Sequence, residues 1–406
     1  MHNIPFSESG LRAVSDPMAD IFRSLPARAA AYTKATGNEF ISLAAGAPDP
    51  SLLPADICLQ LAQEAASTMG SNSLNYTMPQ GFPPLRGALE HMLTSQGVEC
   101  DANDMLITSG GMEALSLGTY MLIDPGDTVL TEGPGFAGAL SMFALFGANV
   151  VQIACSERGV TSRVLDAAIK AHKPKLVSLM PDYQNPTGAV MPFKEREAVA
   201  ALLEKHDIFA LEDGAYSQLR FTGDALPPLQ SFAPDRVIYA TSVSKIFAPA
   251  MRIGALIGPE AIIQKAGDIK SAYNMQASAI HQAITAGFLS PEEGRLNAHL
   301  DRLRTAYQTR CGAMLAALAN HFPKDSGFSW TDPQGGMFLW LTGPQDVNFT
   351  TLFDRALENG VAYVPGSKFY TSANARHNAA RLNFASVPEA TTDEAIRRLA
   401  VTLNTH

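Results

Sequence analysis

The chain has 406 residues, 46% hydrophobic and 17% charged, a composition that excludes a disordered protein and leaves room for two or three packed domains. Its 30 Lys and Arg stand against 39 Asp and Glu, a formal net charge of −9 with no basic run. That balance argues against nucleic-acid and anionic-membrane partners, while anionic small ligands stay open because they need only one or two local cations.

In chain order, the first 40 residues read as two short helical pieces broken at Pro26, an arm or part of a small domain. Met1 to Gly10 lacks the basic-then-apolar pattern of a signal peptide, so the cytoplasm is the expected compartment. Residues 104–109 read as a strand ending in Gly110-Gly111, followed by a helix over 112–122. Strand 127–132, helix 136–146 and strand 149–154 come next. The stretch 133–156 is uncharged and long enough to raise the membrane question, but Gly147-Ala148-Asn149 splits it into a helix and a strand of a buried core. Strand 175–180, helix 193–205 and strands 207–212, 236–241 and 254–257 follow, then a long helical stretch over 259–289. Another helix over 296–318 and strands at 336–341 and 381–384 complete the chain. Alternating helices and near-continuous apolar strands predict an α/β fold: a three-layer α/β/α domain with a mostly parallel sheet, plus a smaller C-terminal α/β domain. Ligands of such sheets lie beyond the carboxyl ends of the strands.

Four cysteines, Cys58, Cys100, Cys155 and Cys311, show no CxxC spacing, and the nine histidines form no HExxH. No disulfide scaffold and no metal site is expected.

Five segments carry chemistry. Thr108-Ser109-Gly110-Gly111-Met112-Glu113 lies at a strand-to-helix junction, where free N–H groups suit a phosphate; alone it is also an ordinary tight turn. Asn185, in Pro181-Asp182-Tyr183-Gln184-Asn185-Pro186-Thr187-Gly188, sits after a buried strand, either as a turn residue or as an amide donor to a ligand oxygen. Asp213, with Tyr216 three residues on, either caps a turn or faces a cationic ring nitrogen. Lys245, in Thr241-Ser242-Val243-Ser244-Lys245, lies between small polar residues and an apolar stretch, where desolvation would make it a nucleophile toward carbonyl carbon. Arg252 adds a planar grip for phosphate or carboxylate. Arg381 leads into a late apolar strand, as a surface ion pair or as a clamp for a substrate carboxylate. Together these segments ask for an aldehyde, a phosphate, a basic ring nitrogen and a ring hydroxyl, the four groups of pyridoxal 5′-phosphate.

On these residues the chain resembles the fold-type I, class I/II aminotransferases, in particular the 2-aminoadipate, kynurenine and aromatic branch. Further matching phrases are Ile41-Ser42-Leu43-Ala44-Ala45-Gly46-Ala47-Pro48-Asp49-Pro50, Tyr76-Thr77-Met78-Pro79-Gln80-Gly81 and Gly335-Gly336-Met337-Phe338. The resemblance implies transfer of an amino group from an L-amino acid to a 2-oxo acid such as 2-oxoglutarate. Lys245 would form the aldimine with the cofactor and shift the proton from Cα to C4′. Asp213 would keep the pyridine nitrogen protonated; Asn185 and Tyr216 would bond the ring oxygen; Phe136 would stack on the ring. Gly110, Gly111, Met112, Ser242, Ser244 and Arg252 would surround the phosphate. Arg381 with Asn185 and Gly46 would hold the substrate carboxylate. Tyr76 would reach the neighbouring subunit's cofactor, which implies a homodimer. The implied division is an arm over 1–45, a cofactor domain over 46–290 and a small domain over 291–406.

The chain departs from the family pattern at Phe136, where tyrosine is commoner, at Gly111-Met112, which replaces polar side chains, and at Gly133-Pro134-Gly135. These leave room for another reaction of the same cofactor, a decarboxylating deaminase or a β-eliminating lyase. Residues 133–138 also fit G-x-G-x-x-G, with Glu157 at roughly the spacing of a ribose ligand, so a nicotinamide-dependent oxidoreductase is a rival. A ligand-sensing regulator with a DNA-binding module is disfavoured by the acidic balance and the short stretch before Ile41. Phe369 and Tyr370 are expected near the substrate side chain, and Arg23 or Arg28 could meet an acidic one.

Overall fold

The computed structural model describes residues 6–12, 18–371 and 374–403. Seven strands form the large sheet: β1 (Met105–Thr108), β2 (Thr128–Gly133), β3 (Asn149–Ala154), β4 (Leu176–Leu179), β5 (Phe209–Asp213), β6 (Val237–Ser242) and β7 (Gly254–Ile257). Their order is β1-β7-β6-β5-β4-β2-β3. Only β7 runs against its neighbours, so the sheet is mostly parallel, as expected.

The strands are apolar because both faces are covered. In β1, Met105 and Ile107 pack into one core while Leu106 packs into the opposite one with Leu115 and Phe143. In β4, Val177 and Leu179 meet Leu165 and Leu203, while Leu176 turns to the other side. Helices therefore sandwich the sheet in three layers. The uncharged stretch splits as expected, into helix Ala137–Leu145 and strand β3. No helix among the described residues is long and apolar enough to cross a membrane.

A second, antiparallel sheet holds β8 (Ser329–Trp330), β9 (Phe338–Thr342), β10 (Val364–Pro365) and β11 (Ala379–Asn383), in the order β10-β11-β9-β8. Helices Arg295–His321 and Glu389–Leu403 pack beside it. The short strand Ile41–Ser42 runs parallel to Val361–Ala362, which ties the start of the chain to its C-terminal part.

Two sequence expectations are corrected. Residues 259–289 form two helices, Glu260–Tyr273 and Ala279–Leu289. The Lys270 carbonyl accepts both the Asn274 and Met275 N–H groups, and Met275 adopts a φ of 62°, which ends the first helix without Gly or Pro. Conversely, Pro26 breaks nothing: one helix runs Ala19–Thr36 through it. The proline removes its own N–H and crowds the carbonyl one turn back, and the helix is held through it by its anchor upstream, where Met18 and Ile21 pack with Trp340 and Val364.

The loop after β4 is built on a buried cation. Arg196, 0% exposed, donates to Asp182 Oδ1 at 2.6 Å, to Pro227 O at 2.7 Å and to Met191 O at 2.9 Å. Replacing it leaves Asp182 without its ion-pair partner and the Pro227 and Met191 carbonyls without that donor. Arg196→Met is expected to lower unfolding free energy by about 3–5 kcal/mol, read by urea titration; a loss well below that range would mean water replaces the guanidinium freely.

Candidate active site

The carboxyl ends of the parallel strands deliver their chemistry to one edge. Gly110 follows β1, Phe136 follows β2, Asn185 follows β4, Asp213 ends β5, and Ser242, Ser244 and Lys245 close β6. Because β7 is reversed, Arg252 just before it enters from the same edge. A cavity of about 620 Å³ opens there. Gly46, Gly111, Met112, Phe136, Asn185, Asp213, Tyr216, Ser242, Ser244, Lys245, Arg252 and Arg381 all line it.

Lys245 Nζ donates to the Gly46 carbonyl at 2.7 Å. Burial pushes its ammonium down to about 8, Arg381 and Arg252 add to the shift, and Asp213 opposes it. Asp213 is pushed up to about 6 by burial, against the Ala215 N–H bond at 3.1 Å and the attraction of Lys245. A cation placed beside that carboxylate would return it to the ionised form. Tyr216 is 5% exposed, and burial raises its hydroxyl above the usual range, against the pull of Arg381 and a hydrogen bond with Asn185. It therefore stays a neutral donor at neutral pH.

Arg381 is 2% exposed in the middle of β11, opposite Trp340 and Val364. Its Nη1 donates to Asn185 Oδ1 at 3.1 Å and its Nη2 to Ala44 O at 3.0 Å. The guanidinium lies over the Phe338 ring at 4.1 Å. The second sheet thus lends its cation to the edge of the first.

The corner at the start of helix Gly111–Tyr120 is made of backbone and hydroxyls. Gly110 has φ +90° and precedes helix Gly111–Tyr120; a Cβ there would stand 2.5 Å from Arg252 Nη2. Arg252 Nη2 donates to Ser109 O at 3.0 Å, and Ser242 Oγ donates to Ser244 Oγ at 2.9 Å. This cradle, a nucleophilic amine, a carboxylate and a neutral phenol fit the phosphate, aldehyde, ring nitrogen and ring oxygen of pyridoxal phosphate. The glycines of 133–138 have packing tasks: a Cβ on Gly135 would press on Glu132 O at 2.6 Å, and one on Gly138 on the Phe136 ring at 2.6 Å.

Other expectations fall elsewhere. Tyr76 is 75% exposed and does not line the cavity of its own chain. Phe369 is fully buried, its ring 5.3 Å from the Arg381 guanidinium and packed on Trp340, behind Arg381 and not on the cavity wall; Tyr370 is not on that wall either. Arg28 pairs with Asp354 at 2.8 Å and Arg23 lies 3.6 Å from Asp20, so neither turns to the cavity. In their place, Met18 and Phe22 from the N-terminal helix, Met142 and Leu145 make an apolar wall. Phe22 and Leu145 are large apolar residues left partly exposed, but no spacing in the sequence joins them.

The lysine value has a direct check. In cofactor-free protein, amine labelling of the Lys245 peptide should rise through a midpoint of about 8. Arg381→Leu should move that midpoint upward, because it removes a repelling cation. A midpoint near that of surface lysines in both proteins would contradict the desolvated site.

The sequence profile described as aminotransferase class I and II matches residues 38–399. The chain is 34% identical over 373 residues to aromatic-amino-acid aminotransferase 1 of Thermococcus litoralis, covering 90% of this chain and 88% of that protein. It superposes on Pyrococcus horikoshii kynurenine aminotransferase with a TM-score of 0.89 at 32% identity, covering 98% and 96% of the two chains. Alpha-aminoadipate aminotransferase from Thermus thermophilus, complexed with N-(5′-phosphopyridoxyl)-L-leucine, gives 0.87 at 29% identity over 98% and 97%.

Proposed function

The chain belongs to the class I and II aminotransferase family, and we propose how its own residues divide the work of a pyridoxal phosphate-dependent amino transfer. The convergence of Lys245, Asp213 and Arg381 on one cavity carries the reading. When bound, pyridoxal phosphate supplies a carbonyl carbon that captures amines and a ring that takes up electron density from the substrate Cα. Lys245 would hold the cofactor and, once released as a free amine, would be the group that carries the proton away from the substrate Cα. A value of about 8 keeps a useful fraction neutral near physiological pH. Asp213 keeps the ring nitrogen protonated. Asn185 and Tyr216 hold the ring oxygen, and Phe136 covers the ring face with its π surface.

Gly110, Gly111, Met112, Ser242, Ser244 and Arg252 take the phosphate, chiefly through N–H groups at the helix start, the two hydroxyls and the guanidinium. Arg381 grips the substrate α-carboxylate, with Asn185 and Gly46 beside it. Tyr76 completes the partner's site, so the working unit is a homodimer; its exposure in a single chain supports this. The cofactor domain spans 46–290, and the arm over 1–45 joins the small domain over 291–406, supported by the pairing of Ile41–Ser42 with Val361–Ala362. Four free cysteines fit the reducing cytoplasm as its location.

The donor side chain meets Met18, Phe22, Met142 and Leu145. Among the described residues, the only cations lining the cavity are Lys245, Arg252 and Arg381, each already assigned. Bulky apolar or aromatic donors are therefore favoured over acidic ones. With 2-oxoglutarate as acceptor, glutamate formation from phenylalanine or leucine should exceed that from aspartate by roughly tenfold in kcat/KM. A preference for aspartate would overturn the substrate reading, and carbon dioxide release without amino transfer would overturn the division of work. Sedimentation should report twice the 43.3 kDa chain mass; a monomer carrying full activity would remove the role of Tyr76.

A further inference from the structure

We propose that Lys270 and Glu113, an ion pair outside the cavity, set the strength of phosphate binding by fixing Ser109 and cancelling a negative charge at the start of helix Gly111–Tyr120. The inference rests on the phosphate seat assigned above. Lys270 lies in the last turn of helix Glu260–Tyr273 and its side chain is 0% exposed. Its ammonium meets Glu113 Oε1 at 2.9 Å, Glu113 Oε2 at 2.8 Å and Asn274 Oδ1 at 2.9 Å, which uses all three donors. Glu113 in turn accepts Asn274 Nδ2 at 2.6 Å and the Ser109 N–H. Ser109 offers its carbonyl to Arg252 Nη2 at 3.0 Å. One continuous chain thus runs from Lys270 through Glu113 and Ser109 to the guanidinium at the cradle.

The charge at position 113 makes this chain matter. A carboxylate in the first turn suits a helix by itself, but it opposes a phosphate dianion seated at the same end. Position 112, beside it, is a methionine and offers no polar side chain to compensate. The buried ammonium of Lys270 removes that opposition while leaving Glu113 free to hold the Ser109 N–H. The pair is a positioning device: neither residue lines the cavity. It acts on the phosphate alone, and this separates it from a general packing role.

The test titrates cofactor-free full-length protein with pyridoxal phosphate and, separately, with pyridoxal, by equilibrium dialysis. Lys270→Met is expected to weaken pyridoxal phosphate binding about tenfold, the order for an uncompensated charge at a partly buried helix start, and to leave pyridoxal binding unchanged. Glu113→Gln/Lys270→Met should return the phosphate form toward the wild-type affinity. Glu113→Gln alone, which keeps an acceptor for Ser109, should bind the phosphate form at least as tightly as wild type. Equal losses for both ligands in Lys270→Met would overturn the proposal, as would no loss at all or a double variant that stays weak. Where Lys270→Met fails to fold, Glu113→Gln decides: selective weakening of the phosphate form contradicts the proposal, and unchanged or tighter binding supports it. Wild-type protein that ignores the phosphate, binding both ligands alike, would instead unseat the cradle itself.

Discussion

The structure turns on one amine held where water cannot fully solvate its charge. Lys245 sits between two guanidiniums and one carboxylate in the cavity, and burial with Arg381 and Arg252 brings it from 10.5 to about 8. In open solvent the same group would stay protonated at neutral pH and would not attack carbonyl carbon. Asp213 is the necessary counterweight, because a site with only cations would repel the cationic ring nitrogen. The pair is coupled: each moves the other toward its charged form, while burial opposes both.

The sheet makes that arrangement possible. Parallel strands stack their carboxyl ends at one edge, so residues far apart in sequence converge there without a dedicated scaffold. The reversed β7 adds a cation that a purely parallel sheet would have put at the opposite edge. The second sheet supplies Arg381 through its register with β9, and the segment after Ile41–Ser42 brings Gly46 to the amine. Rigid support lies immediately behind these groups. Arg196 and Asp182 hold the loop that carries Asn185, and Lys270 and Glu113 hold the turn that carries Gly110.

Much of this was legible because the chemistry lies at strand ends, and strand ends are marked by Gly, Asn, Asp and small polar residues after apolar runs. Lys245, Asp213, Asn185 and Arg252 were found that way, and they share one cavity. What stayed hidden depends on long-range packing. The helix through Pro26 survives because contacts with residues some three hundred positions later anchor it, and local propensity cannot report them. The break at Asn274 rests on a left-handed methionine, which carries no sequence mark. Phe369 was misplaced because the short helical turn Gly366–Phe369 packs it on Trp340 behind Arg381, and Met18 and Phe22 reach the cavity through a tertiary contact of the first long helix. Lys270 and Glu113 are separated by 157 positions, and each alone reads as an ordinary surface charge.

The most direct measurement is reductive trapping followed by peptide mapping. Protein incubated with pyridoxal phosphate, treated with borohydride and digested should carry a single pyridoxyl-modified peptide, the one that contains Lys245. Modification at Lys270 or at surface lysines with Lys245 untouched, or no modification at all, would contradict the account.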